Sequence, residues 1–143
     1  MLKLTKIFHF EMAHAIHGYS GICKNLHGHS YELHVTVSSG TGRTSYLPEP
    51  GFLVDFKDIK KLVNEAVIKE LDHHTMVSVG FISGFPEFSK LDNMIIMEAE
   101  PTAENILLYI RQLLSSVWPD DIKLISMKLA ETKDSYAEWV EPV

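Results

Sequence analysis

The sequence predicts an α+β domain in which two helices cover one face of a four-stranded antiparallel sheet. Apolar residues alternate with period two near both ends of the chain, and two amphipathic helical stripes lie between them. The resulting order is two strands, two helices and two strands, and the length of 143 residues suits a single domain spanning residues 1–143. Because the strands are so apolar, burial of the second sheet face between subunits is favoured, which predicts a homo-oligomer.

The first two strands each carry an apolar row that ends in histidine. Residues 2–14 place apolar side chains at even positions, and His14 ends that row. Residues 29–38 place them at odd positions beginning with His29, and His27 extends the row. Side chains alternate between the faces of a strand, so these three imidazoles are predicted to project toward the core.

The helices and the remaining strands are predicted from caps and periodicity. A short strand at 51–54 leads to Asp55, which is placed to cap a helix that ends near Leu71. A second helix begins at residues 101–104 with Thr102 as its N-cap. Further strands are indicated at 94–97, 122–132 and 136–140.

Composition argues against several classes of partner. The formal charge is −6 and the pI is near 5.7, which is unfavourable for binding nucleic acid through its phosphates. The N-terminus lacks the apolar core of a signal peptide, and no apolar run reaches transmembrane length. The single cysteine suits a reducing, cytoplasmic setting.

The three histidines that end apolar rows form the first candidate site. Each alone would be taken for an ordinary histidine satisfied by hydrogen bonds, and that alternative stays open. Together, three imidazoles are costly to bury without a shared partner, and a zinc ion would supply one. Three nitrogen ligands with an open coordination position are typical of catalytic zinc.

Three further positions carry chemistry beside a plainer alternative. Cys23 lies in a loop four residues before His27, where it is a candidate thiolate base or nucleophile, a metal ligand or a small buried hydrophobe. Asp72 and His73 follow the first helix as a carboxylate-oriented proton carrier or as a solvated helix end. Glu131 continues an apolar row, either to bind a guanidine-like ligand edge or simply as an exposed strand end.

Six motifs in this order resemble the 6-pyruvoyltetrahydropterin synthase and 6-carboxytetrahydropterin synthase family over nearly the whole chain. They are FEMAH at 10–14, CKNLHGHSY at 23–31, GFLVDF at 51–56, LDH at 71–73, PTAEN at 101–105 and ET at 131–132. The resemblance implies the tunnelling fold (T-fold), a four-stranded antiparallel sheet with two helices on one face. It also implies trimers that close into a barrel and pair into hexamers.

The resemblance also implies roles for individual residues. The ligands of Zn²⁺ would be His14, His27 and His29. The catalytic set, often contributed by neighbouring subunits, would be Cys23, Asp72 and His73. The pterin would be bound by Glu131, with Thr102 nearby.

The implied substrate is 7,8-dihydroneopterin triphosphate. The spacing of three residues between Cys23 and His27 resembles that of the family's bacterial branch. Members of that branch form 6-carboxytetrahydropterin for queuosine synthesis and release acetaldehyde and triphosphate. A 6-pyruvoyltetrahydropterin synthase and a non-catalytic zinc or pterin-binding module are the alternatives. Residues 81–93 form a longer segment than the resemblance to compact bacterial members leads us to expect.

Overall fold

The computed structural model describes residues 1–40, 42 and 44–143, and its centre is a six-stranded sheet. The strands lie in the order β4-β3-β1-β2-β5-β6. Their bounds are β1 (Leu4–His14), β2 (His27–Ser38), β3 (His74–Ser78), β4 (Met94–Met97), β5 (Lys123–Thr132) and β6 (Ser135–Val140).

The sheet has two strands more than predicted. The antiparallel set β1, β2, β5 and β6 matches the expectation, but β3 and β4 extend it through parallel pairing, β3 to β1 and β4 to β3. The β4 strand was indicated by its sequence, whereas β3 was missed because its five residues show no alternation and its last three are all buried. Residues 51–54 form no strand.

The two predicted helices are present, with additions between them. The first is α1 (Phe56–Val63), continued by a π-helical segment (Asn64–Ile68) and α2 (Lys69–Leu71). A short helix α3 (Val79–Gly84) and a 3₁₀ turn (Pro86–Lys90) follow β3. The second predicted helix is α4 (Ala103–Leu114).

Both predicted N-caps are confirmed. The Asp55 carboxylate accepts a hydrogen bond from the N–H of Lys57 over 2.8 Å. The Thr102 hydroxyl accepts one from the N–H of Asn105 over 3.3 Å. These bonds satisfy N–H groups that have no partner within their own helix.

One main core lies between the sheet and the two long helices. Even positions of β1 and odd positions of β2 and β5 face Ile59, Val63, Ile106 and Ile110 of the helices. Phe10 and Tyr31 stack across the β1–β2 pair with ring centroids 5.1 Å apart. The strand rows that end in histidine therefore face the helices, as the alternation predicted.

The segment after β3 has a small core of its own. Ala15, Val77 and Phe81 are buried together, and Phe88 packs against them. The long 81–93 segment therefore folds onto the end of the sheet beside the loop that follows β1. Within the described residues, no helix has the length and apolarity needed to cross a bilayer.

Adjacent leucines in α4 test the packing. Leu107 is 2% exposed in the main core, whereas Leu108 is 47% exposed. We expect Leu107→Ala to lower the free energy of unfolding by about 2–5 kcal/mol through lost burial and a cavity. Leu108→Ala, the matched control, should change it by about 0.5 kcal/mol or less. Urea denaturation at equal protein concentration measures both, and equal effects would contradict the assigned helix face.

Candidate metal centre and its cavity

The strand register brings the three predicted histidines together. In the antiparallel β1–β2 pair, His14 is directly opposite His27, and Met12 is opposite His29. One nitrogen from each of the three imidazoles lies within 4.8 Å of the others. Among the described residues, this is the group with metal-ligand geometry.

The hydrogen bonds of the far ring nitrogens define the tautomers. His14 Nδ1 lies 2.7 Å from the carbonyl oxygen of Pro101, and His27 Nδ1 lies 2.7 Å from that of Asn25. A carbonyl oxygen can only accept, so both Nδ1 atoms carry the proton. In the neutral rings, each Nε2 then presents a lone pair.

The Nε2 atoms consequently lack a partner for those lone pairs. His14 Nε2 and His27 Nε2 lie 3.1 Å apart, but two acceptors cannot hydrogen-bond to each other. His29 Nε2 is buried and has no hydrogen-bond partner in the described part of the chain. A divalent cation with an affinity for imidazole fits this set, and the Pro101 and Asn25 carbonyls orient two rings as metal ligands usually are.

The protonation state of His14 agrees with this function. Burial lowers the pKa of the His14 imidazole, against the opposing effects of the Pro101 carbonyl and the Glu131 carboxylate. The ring is therefore neutral at pH 7, and a neutral ring is the form that binds metal. Burial also raises the pKa of the Tyr31 phenol, which lies against the His29 ring, so this phenol stays protonated at pH 7.

A cavity of about 560 Å³ opens beside the imidazoles and collects most of the other predicted site residues. His14, His29, Cys23, Thr102 and Glu131 all line it, although they come from β1, β2, the loop between them, the start of α4 and the end of β5. Glu131 Oε1 lies 4.0 Å from His14 Nε2, and the Glu131 side chain is 28% exposed. A carboxylate, a thiol and a nitrogen cluster thus face one ligand-sized space.

Asp72 and His73 form the predicted pair, but away from that cavity. His73 Nδ1 lies 2.9 Å from Asp72 Oδ2, and the His73 side chain is 79% exposed. The two residues lie near Glu11 and Ser30, which belong to the strand rows that point away from the helices. Within one chain, then, neither residue lines the cavity that contains Cys23 and Glu131, and His73 lines a second cavity that His29 also borders.

The Asp72–His73 pair is held in a constrained backbone. The N–H of Glu11 donates to Asp72 Oδ1 over 2.8 Å, and the N–H of His73 donates to the Glu11 carbonyl over 2.7 Å. These bonds keep His73 at φ 61°, a left-handed conformation that is uncommon outside glycine. The Glu11 N–H, followed by His73, lowers the pKa of the Asp72 carboxyl, so Asp72 is ionised and orients the His73 ring.

The sequence matches one family along nearly its whole length. The sequence model described as 6-pyruvoyl tetrahydropterin synthase matches residues 3–142. The chain belongs to this family. A relative from Haemophilus influenzae named 6-carboxy-5,6,7,8-tetrahydropterin synthase is 30% identical over 147 aligned residues, which cover 99% of this chain and 100% of the relative.

Other members of the family carry more than one name. A 6-carboxy-5,6,7,8-tetrahydropterin synthase from Aquifex aeolicus is 33% identical, with 83% of this chain and 76% of the relative covered. A dihydroneopterin monophosphate aldolase from Pyrococcus furiosus is 31% identical, with 85% and 82% covered. The family therefore includes proteins named for different reactions of pterins.

Solved structures of the family share this fold. The 6-pyruvoyl tetrahydropterin synthase of Caenorhabditis elegans superposes with a TM-score of 0.68 at 21% identity, covering 99% of this chain and 96% of that one. The Plasmodium falciparum 6-pyruvoyl tetrahydropterin synthase gives 0.70 at 19% identity, covering 99% and 98%. The tunnelling fold implied by the sequence resemblance is confirmed at this level, with six strands in the sheet.

Some cavity residues were not predicted. Glu104 and Glu138 line the cavity, as does Tyr19. Glu104 was identifiable as a first-turn residue of α4, but only packing shows that this turn faces the imidazoles. Glu138 lies on the edge strand β6, where no pattern distinguishes it from an ordinary exposed carboxylate.

The metal centre is tested by counting zinc. We expect the native protein to hold about one zinc ion per chain, and His27→Ala to lose it because two nitrogens bind zinc far more weakly than three. His34→Ala is the matched control, since His34 is also on β2 but faces away from the helices and bonds to Glu32 over 2.6 Å. Elemental analysis after gel filtration gives the metal content. Wild-type protein without metal would contradict the assignment.

Proposed function

We propose that this chain is a zinc-dependent lyase, a 6-carboxy-5,6,7,8-tetrahydropterin synthase. It would convert 7,8-dihydroneopterin triphosphate and one water molecule to 6-carboxytetrahydropterin, with release of acetaldehyde and triphosphate. The observation that carries this proposal is the convergence of three imidazole lone pairs beside a cavity that two of the rings line together with a thiol and a carboxylate. Relatives at about 30% identity with the same name support the choice of reaction.

His14, His27 and His29 would hold the zinc ion through Nε2. When bound, zinc supplies a Lewis acid that polarises the side-chain oxygens of the substrate. The chain's own contribution is to orient the rings. Pro101 and Asn25 do this through their carbonyl oxygens, which hold the far nitrogens of two rings.

Cys23 would act as a base or nucleophile rather than as a fourth ligand. It is partly buried and lines the cavity, and it does not belong to the group of atoms with ligand geometry.

Glu131 and Thr102 would bind the pterin. An ionised carboxylate in a partly enclosed cavity can accept two parallel N–H bonds from an amino-pyrimidinone edge. The Thr102 oxygen already accepts from the N–H of Asn105, so its hydroxyl hydrogen and one lone pair are left to offer a ligand.

Asp72 and His73 would complete the site from a neighbouring subunit. The separation of this pair from the cavity within one chain supports a shared site, and so does the exposure of His73. In the part of the chain that the structure describes, the sheet also ends in two edge strands, β4 and β6, each paired on one side only, which suits closure into a ring. We propose a homo-oligomer of this kind, a hexamer formed as a dimer of trimers.

Two other reactions are consistent with the family. A 6-pyruvoyltetrahydropterin synthase would use the same site and keep the side-chain carbons, and the family model carries that name. A dihydroneopterin monophosphate aldolase would act on a substrate with fewer phosphates, as the name of the Pyrococcus relative indicates. A non-catalytic zinc or pterin-binding module is the remaining alternative.

The product decides among these functions. Purified zinc-loaded protein incubated with 7,8-dihydroneopterin triphosphate should release acetaldehyde and form 6-carboxytetrahydropterin, measured by derivatisation and chromatography. A pyruvoyl product without acetaldehyde would identify the first alternative, and turnover of the monophosphate alone would identify the second.

We expect Cys23→Ala to lower kcat by about 10²–10⁴-fold while zinc content stays unchanged. Full turnover by this variant would exclude Cys23 as the base.

The shared site is tested by mixing two inactive variants. Cys23→Ala and His73→Ala chains, co-expressed with different tags and purified as mixed oligomers, should recover about a quarter of wild-type activity if each site draws on two chains. Sites contained within one chain would always carry one substitution and stay inactive. Each variant taken alone through the same purification is the control.

A further inference from the structure

The segment between β4 and α4 makes hydrogen bonds to the His14 ring and to the loop that follows His14. The carbonyl oxygen of Pro101 accepts the hydrogen bond from His14 Nδ1 over 2.7 Å. One residue earlier, the Glu100 carboxylate accepts a hydrogen bond from the backbone N–H of His17 over 2.6 Å. Two consecutive residues therefore bind a candidate metal ligand and the loop that follows it.

Glu100 is itself held by the start of α4. Its carbonyl oxygen accepts hydrogen bonds from the Asn105 side-chain amide and from the N–H of Thr102, each over 2.9 Å. The proline ring of Pro101 restricts the backbone between these contacts. Because α4 packs on the main core, the position of Glu100 is set by the most buried part of the molecule.

The loop that Glu100 binds is the one that carries Cys23. We name residues 15–26 the Cys23 loop. The N–H of Ile16 donates to the Cys23 carbonyl over 2.9 Å and closes this loop on itself. Ile16 adjoins His17, so the Glu100 carboxylate binds the loop where its two ends meet.

We propose that Glu100 and Asn105 are positioning residues that set the distance between the Cys23 thiol and the imidazole cluster. Asn105 holds the Glu100 backbone, and the Glu100 carboxylate holds the Cys23 loop. This gives the PTAEN motif a function beyond capping α4. The proposal relies on the proposed function only for the role of Cys23 in catalysis, since the contacts themselves do not depend on it.

The first measurement needs no substrate. Amide hydrogen exchange of the zinc-loaded protein should accelerate about tenfold or more across the Cys23 loop in Glu100→Ala, because the N–H of His17 loses its acceptor. Alkylation of Cys23 by iodoacetamide should speed up several-fold. Asn105→Ala should act in the same direction but less, since the Thr102 N–H still holds the Glu100 carbonyl.

Two variants separate position from charge. Glu100→Gln removes the charge but keeps an oxygen that can accept from His17, so it should restore most of the wild-type exchange and alkylation rates. Glu98→Ala removes a carboxylate two residues earlier, from an exposed position, and should behave as wild type in both measurements. Zinc content should stay at one ion per chain in all variants, which also shows that they fold.

The second measurement links the loop to the reaction. We expect Glu100→Ala to lower kcat by about 10–100-fold with little change in KM, as a small displacement of a catalytic group does. Unchanged exchange in Glu100→Ala and Asn105→Ala would overturn the proposal, and so would a loosened loop with unchanged kcat. If wild-type protein does not turn over the pterin, the proposed function fails, while exchange and alkylation still decide whether Glu100 positions the loop.

Discussion

The cross-strand pairing of β1 with β2 is the constraint on which the candidate site depends. His14 opposite His27 and Met12 opposite His29 place three imidazoles at the same end of the helix-facing side of the sheet. Since side chains alternate strictly, a slip of one residue in this register would turn a whole histidine-ended row toward the other face. The apolar residues of the same rows prevent that slip, because it would expose the main core. The same register therefore both buries the core and brings the imidazoles together.

The start of α4 fixes the orientation of the His14 ring. Its N-cap residue, Thr102, lies between the Pro101 carbonyl, which orients the His14 ring, and the helix that covers the core. The orientation of His14 fixes a lone pair on Nε2, and the same holds for His27 through Asn25. Unpartnered lone pairs at short separation carry a free-energy cost that a bound cation removes. Three imidazole nitrogens oriented in this way fit a divalent cation.

The site divides between two sides of the chain. The cavity is lined by His14, His29, Cys23 and Glu131, whereas the Asp72–His73 pair lies with the outward rows of β1 and β2. His73 is held in an uncommon backbone conformation, yet its side chain is 79% exposed. In the proposed homo-oligomer, a neighbouring chain would bring this exposed pair to the cavity and would cover the free edges of the sheet.

Much of this was determined by local pattern in the sequence. Period-two alternation identified the rows that end in His14, His27 and His29, and the caps at Asp55 and Thr102 set the helix starts, because these signals depend on neighbours along the chain. Local pattern did not determine β3, whose parallel pairing requires a distant partner strand, or the cavity position of Glu138. Nor could it show that Glu100, Pro101 and Asn105 join the cluster to the Cys23 loop. Those contacts span as many as 87 residues along the chain, and only the folded backbone brings them within hydrogen-bond distance.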